Sequence, residues 1–126
     1  MGAADYRLSE YLLQVHTTSL ATTPVAVYVA VPFDGEIVES RVTIYGAITS
    51  AASTNTLAVL PAGVAASAVD VGTTLDVAVS GSAAGKTYSA AHTGSRTVRA
   101  GDSIRITPAG ATGASIRGDY VIKIRR

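Results

Sequence analysis

Apolar and polar positions alternate with a period of two along most of this chain, the spacing of a strand with one buried and one wetter face. Val25, Val27, Val29 and Val31 take every odd position of one segment, with Ala26, Tyr28 and Ala30 between them. Leu75, Val77 and Val79 alternate with Asp76, Ala78 and Ser80, and Ile104 and Ile106 with Arg105 and Thr107. At the end, Tyr120, Ile122 and Ile124 alternate with Val121, Lys123 and Arg125. The segment 37–45 predicts a further strand, with Val38, Ser40, Val42 and Ile44 on one face and Ile37, Glu39, Arg41, Thr43 and Tyr45 on the other.

Turn chemistry separates these segments at Pro32–Gly35, Leu60–Gly63, Val71–Thr74, Ala100–Asp102, Pro108–Gly110 and Arg117–Asp119. Short strands between frequent turns indicate an antiparallel sandwich, a jelly roll or a small barrel. Helix signals are scarce. Asp5–Leu13 has Leu8, Tyr11 and Leu12 spaced for a turn or two of helix, or else for an arm ordered against a neighbour, and 65–71 is ambiguous between helix and strand. The expectation is an all-β, jelly-roll-like antiparallel β-sandwich: one domain over residues 13–126, preceded by a short N-terminal arm, 1–12.

Composition narrows the chemistry. The 126 residues suit one domain with one core. Cysteine is absent, which removes disulfides, thiolate nucleophiles and zinc-cysteine sites. The N-terminal segment MGAADYRLSE lacks the basic and apolar regions of a signal peptide, and no run approaches the ~18 apolar residues of a membrane span, so a soluble protein is expected. Alanine, glycine, serine and threonine dominate, tryptophan is absent and phenylalanine occurs once. Small side chains make thin sheets and smooth surfaces, poorly suited to gripping a ligand. The formal net charge of +1 conceals a gradient: residues 1–63 hold two basic residues against five acidic ones, and residues 64–126 hold eight against four. Such a chain can associate head to tail, or dock its basic part on an acidic surface.

The crowding of Asp34, Glu36 and Glu39 invites an acid/base reading. In a regular strand, however, Glu36 and Glu39 point to opposite faces, Asp34 serves its own turn, and Glu39 pairs with Arg41 on the surface. Paired-carboxylate catalysis needs both groups converging on one bond, roughly 5–10 Å apart. The segment SGSAAGKT, residues 80–87, ends like a phosphate loop, but its first glycine is one place late and no helical pattern follows, so it reads as an inter-strand loop. His16 and His92 stand apart from any G-x-S-x-G elbow or metal-ligand spacing and read as surface or rim residues. Residues 86–126 are basic but carry only Tyr88 and Tyr120 as aromatics, which favours a solvated or protein-binding face over nucleic acid. No enzyme activity, metal or cofactor is expected.

Val29–Ser50 (VAVPFDGEIVESRVTIYGAITS), followed by Ser80–Lys86 (SGSAAGK) and Val98–Gly110 (VRAGDSIRITPAG), resembles a group of small tailed-phage virion proteins, the head decoration (cement) and head-fibre proteins. The resemblance spans roughly residues 15–126. It implies a β-rich structural protein on the exterior of the phage head, assembled in the bacterial cytoplasm and commonly trimeric, with the major capsid protein as partner and no membrane involvement. The contacts expected from the residues are the arm (Tyr6, Arg7, Leu8, Tyr11) and a basic face (Arg117, Lys123, Arg125). The alternative is a glycan-binding fibre or adhesin module, for which Tyr28 and Tyr45, each opposite the more apolar face of its strand, are the aromatic platforms.

Overall fold

The computed structural model describes residues 10–17, 20, 26–49, 52–64, 68–92, 97–110 and 116–126. Among these residues nine strands follow in order: β1 (Glu10–Thr17), β2 (Val27–Ala30), β3 (Gly35–Ile44), β4 (Ser53–Leu60), β5 (Val69–Val77), β6 (Thr87–Ala91), β7 (Thr97–Val98), β8 (Ser103–Ala109) and β9 (Gly118–Arg125). A 3-10 turn at Pro61–Gly63 is the one helical element among the described residues. No described helix is long and apolar enough to cross a membrane.

Every pairing is antiparallel. One sheet has the order β1-β9-β3-β6, with β7 also on β3, and the other β2-β8-β4-β5. Consecutive long strands thus repeatedly change sheet, and the two interlocked Greek keys make a jelly roll, the expected fold. The alternation read from the sequence becomes its core. Val42, Ile44, Tyr120, Ile122 and Ile124 from the first sheet meet Leu57, Leu75, Val77, Ile104 and Ile106 from the second, all fully buried. Each aliphatic side chain so buried contributes about 1.5–3 kcal/mol relative to exposure.

A buried polar clip joins the sheets. The Tyr120 hydroxyl on β9 donates to Oδ1 of Asn55 on β4 at 2.5 Å, and Asn55 Nδ2 donates to the Leu75 carbonyl at 2.9 Å. Ser53 Oγ, on the same strand as Asn55, donates to the Leu20 carbonyl at 3.3 Å. Burial pushes the Tyr120 phenol well above its ordinary pKa, so it remains a donor.

Several expectations fail for identifiable reasons. A β-bulge lies between Ile37 and Glu39, so that Val38 has no partner on β9 and its carbonyl accepts the His92 N–H at 3.0 Å. The extra residue resets the parity of the strand. Ile37 therefore joins Ser40, Val42 and Ile44 in the core, and Glu36 and Glu39 share the outward face rather than opposing each other. His92, expected at the surface, is 2 % exposed, and its Nε2 lies 2.7 Å from the Ser40 hydroxyl in the same interior. The possible helix over 5–13 is not formed in its described part, because Glu10–Leu13 pair with Ile122–Arg125 as the start of β1. Residues 1–9 of the expected arm lie outside the described residues. In the ambiguous 65–71 segment, Val69–Val71 are strand.

Candidate functional site

The outward face of the β1-β9-β3-β6 sheet collects most of the chemistry that the sequence suggested. Register sets its rows. Leu12 stands beside Lys123, and Lys123 beside Glu39; Gln14 beside Val121, and Val121 beside Arg41; His16 beside Asp119, and Asp119 beside Thr43. Because strands place alternate residues on one face, these side chains form a continuous surface across β1, β9 and β3.

The charges on this surface are of both signs and interleaved. Arg41 Nε donates to Glu39 Oε1 at 2.9 Å, Lys123 Nζ lies 3.9 Å from the same oxygen, and Arg125 reaches Glu10 at 3.4 Å. Of the residues expected to form a basic face, Lys123 and Arg125 thus lie together on β9, but each faces a carboxylate, and the surface is balanced rather than basic. Such pairs hold side chains in place more than they stabilise the fold. Within this array Leu12 is 60 % exposed. With Val121, Glu39, Arg41 and Lys123 it lines a dimple of about 190 Å³.

At the end of the sheet where β9 begins, a second group forms. The Tyr45 hydroxyl donates to Asp119 Oδ2 at 2.5 Å, and the Arg117 guanidinium lies 4.8 Å from the centre of the Tyr45 ring. Backbone geometry supports the pair, since the Tyr45 N–H donates to the Arg117 carbonyl at 3.0 Å. The bond to Asp119, and then its negative charge, raise the Tyr45 pKa, while Arg117 opposes the shift. Beside this group a concavity of about 420 Å³ lies over β1 and β9, lined by Gln14, His16, Arg117, Asp119 and Val121 among others. Tyr28 is 56 % exposed on β2, a strand of the other sheet, so the two tyrosines marked in the sequence do not form one platform.

The opposite end is tied down by aspartates. Asp34 Oδ1 accepts the Ala100 N–H at 2.9 Å, a contact 66 positions away in sequence rather than the expected local one. Asp102 accepts the Arg99 N–H at 2.9 Å and the Ala62 N–H at 3.0 Å. The latter holds Ala62 in the left-handed region, φ 52°. Gly35 leaves room for the β9 terminus, because a Cβ there would lie 2.6 Å from the Arg125 carbonyl oxygen. Tyr11 packs against Phe33 with ring centres 4.8 Å apart, and Arg126 lies 5.8 Å and 5.4 Å from these two rings. Tyr6, Arg7 and Leu8 lie outside the described residues.

The three acids that crowd the sequence do not converge. Asp34 and Glu36 border one hollow together with Arg99 and Arg125, and Glu39 borders the separate Leu12 dimple. Residues 80–86 of the 80–87 segment form an inter-strand loop, as expected, and Thr87 begins β6. Ser82 Oγ anchors it, accepting the Ile48 N–H at 2.8 Å, and the Gly85 N–H donates to the Ile44 carbonyl at 2.7 Å. Among the described residues no group of three or more His, Asp or Glu side chains is placed to hold a metal.

Sequence reasoning missed Gln14 and Asp119 as site residues. The outward parity of Asp119 was readable from Tyr120 and Ile122, but that of Gln14 was not, because β1 was not recognised as a strand, and their meeting with His16 depends on the pairing of β1 with β9. No protein-family model matches the chain, and no curated protein matches it. Among solved structures, the chain is similar in fold to the Eiger TNF of S. frugiperda, at 12 % identity and TM-score 0.49, covering 90 % of this chain and 85 % of that one. It is also similar to a chain of the cyanophage Pam1 capsid asymmetric unit, at 19 % identity and TM-score 0.46, covering 92 % and 82 %. A third similar structure, from the disulfide-linked pili that form Bacillus endospore appendages, gives 22 % identity and TM-score 0.41, covering 92 % and 86 %.

Proposed function

We propose that this chain is a structural protein of a phage virion, a decoration (cement) protein that binds the exterior of the head as a trimer, with the major capsid protein as its partner. The observation that carries the proposal is the outward face of the β1-β9-β3-β6 sheet. An exposed leucine, Leu12, on the edge strand β1 and the half-buried Val121 on β9 form an apolar spot, with Glu39, Arg41 and Lys123 beside it. Apolar side chains next to charged, hydrogen-bonding ones are the makings of a protein interface. The resemblance of the Val29–Ser50, Ser80–Lys86 and Val98–Gly110 segments to phage head proteins supplies the partner. In a trimer, three modest faces engaged together bind far more tightly than one.

The test is co-sedimentation of the purified chain with bare heads. Occupancy should fall sharply in Leu12→Asp, which would bury a charge in the contact. It should change little as salt is raised, because Lys123, Arg41 and Arg125 already hold carboxylate partners within the chain. Failure to co-sediment would end the proposal. Stripping by salt, with Leu12→Asp unaffected, would move the contact to unpaired basic residues such as Arg117.

A further inference from the structure

The concavity over β1 and β9 has properties that capsid attachment does not use. It is open and polar, and it holds one group of each charge, the Arg117 guanidinium and the Asp119 carboxylate, with the Gln14 amide and the His16 imidazole on the neighbouring strand. Among the described residues Arg117 pairs with no carboxylate. Asp119 has given one oxygen, Oδ2, to Tyr45. Its other oxygen holds no hydrogen bond within the described residues.

We propose that this concavity is a carbohydrate site for a neutral saccharide, with Gln14, Arg117 and Asp119 as its polar contacts, the last two held in place by Tyr45 beside it. The chemistry of the lining selects the ligand class. An anion would meet Asp119, and a cation would meet Arg117, so a ligand of either sign forfeits part of its attraction. An apolar ligand would strip water from four polar side chains and return no hydrogen bonds. A neutral polyol matches both signs, since each hydroxyl can donate to Asp119 and accept from Arg117, and Gln14 can do either. Hydrogen bonds to charged groups are stronger than neutral ones, which favours such a ligand over competing water.

The site is also held in shape without a ligand. Tyr45 is fixed by its bond to Asp119, by its backbone bond to Arg117 and by the guanidinium lying over its ring. Little ordering of these three residues is then needed on binding. The cavity of about 420 Å³ falls in the size range of small-ligand sites. This inference does not depend on the structural role, and a chain that failed to bind heads could still bind sugar here.

The experiment presents the full chain to immobilised neutral oligosaccharides of hexoses and N-acetylhexosamines, with sialylated and sulfated ones alongside, and follows each hit by titration. Binding to neutral members is expected. Asp119→Asn and Arg117→Ala should each weaken it about tenfold, and Gln14→Ala by a smaller factor. Tyr28→Ala, on the other sheet, should leave it unchanged. Gln14 is exposed on β1, so its variant reports on the site without disturbing the fold, and thermal melts check the others. No binding to any neutral saccharide would overturn the inference, as would binding confined to sialylated or sulfated ones, or affinity unchanged in both Gln14→Ala and Asp119→Asn.

Discussion

Two tyrosines make what is nominally the same bond in opposite surroundings. Tyr120 and Tyr45 each donate a hydroxyl hydrogen to a side-chain oxygen at 2.5 Å, Tyr120 to Asn55 and Tyr45 to Asp119. Tyr120 is fully buried and its bond crosses from one sheet to the other, whereas Tyr45 is 52 % exposed and its bond stays on the outer face. When a buried bond is broken, its orphaned partner finds no water and the full desolvation cost appears. At the surface, solvent replaces the lost partner. Tyr120 therefore belongs to the stability of the fold, and Tyr45 belongs to what the surface can recognise.

The contrast is broken most severely by Asn55→Ala. It removes the acceptor of Tyr120 and the donor to the Leu75 carbonyl together, leaving two buried groups unsatisfied. A loss of about 2–4 kcal/mol in chemical denaturation is expected. Tyr120→Phe keeps the ring and orphans only Asn55 Oδ1, so about 1–3 kcal/mol should be lost.

That second variant should also alter the alkaline limb of stability. Burial raises the Tyr120 pKa in the folded chain above its ordinary value of 10.0, so above that pH the unfolded chain releases a proton that the folded chain retains. Stability from this group is complete below pH 10.0 and declines as pH rises beyond it. Denaturation midpoints measured from neutral to strongly alkaline pH should decline less steeply in Tyr120→Phe. The smallest effect is expected from Tyr45→Phe, whose midpoint should match that of the parent at neutral pH. A loss there equal to that of Tyr120→Phe would abolish the distinction between the two bonds.

The same division governs what could be read in advance. Tyr120, Ile122 and Ile124 announce an inward row through period two, and their burial follows because nothing interrupts the alternation of β9. On β3 the same logic fails at Val38. The residues on either side alternate correctly, but one extra residue between them moves Ile37 inward and brings Glu36 and Glu39 to one face. Alternation carries no mark of a bulge, which is set by how the partner strand and the His92 N–H meet the backbone. Asp34 was recognisable as a turn aspartate, but its acceptor role at Ala100 requires two distant loops to be neighbours.

The candidate site divides in the same manner. The exposure of Tyr45 and Tyr28 on the wet sides of their strands was legible, and so was the Glu39–Arg41 pair two positions apart. That Arg117 would cover Tyr45, and that Lys123 would share Glu39, was not, because each joins residues more than seventy positions apart.

The sequence by itself determined an all-β chain with apolar rows of period two, turns at glycine and aspartate, and no cysteine chemistry, since these properties arise from residues close in sequence. The tertiary structure alone decided the order of strands in the two sheets, the bulge that turns the acidic segment outward, the burial of His92 against Ser40, and the meeting of Gln14, Arg117 and Asp119 beside Tyr45. Each of these depends on strand pairing. A free edge offers the same backbone groups to any partner, and only packing of the assembled core selects one register among them.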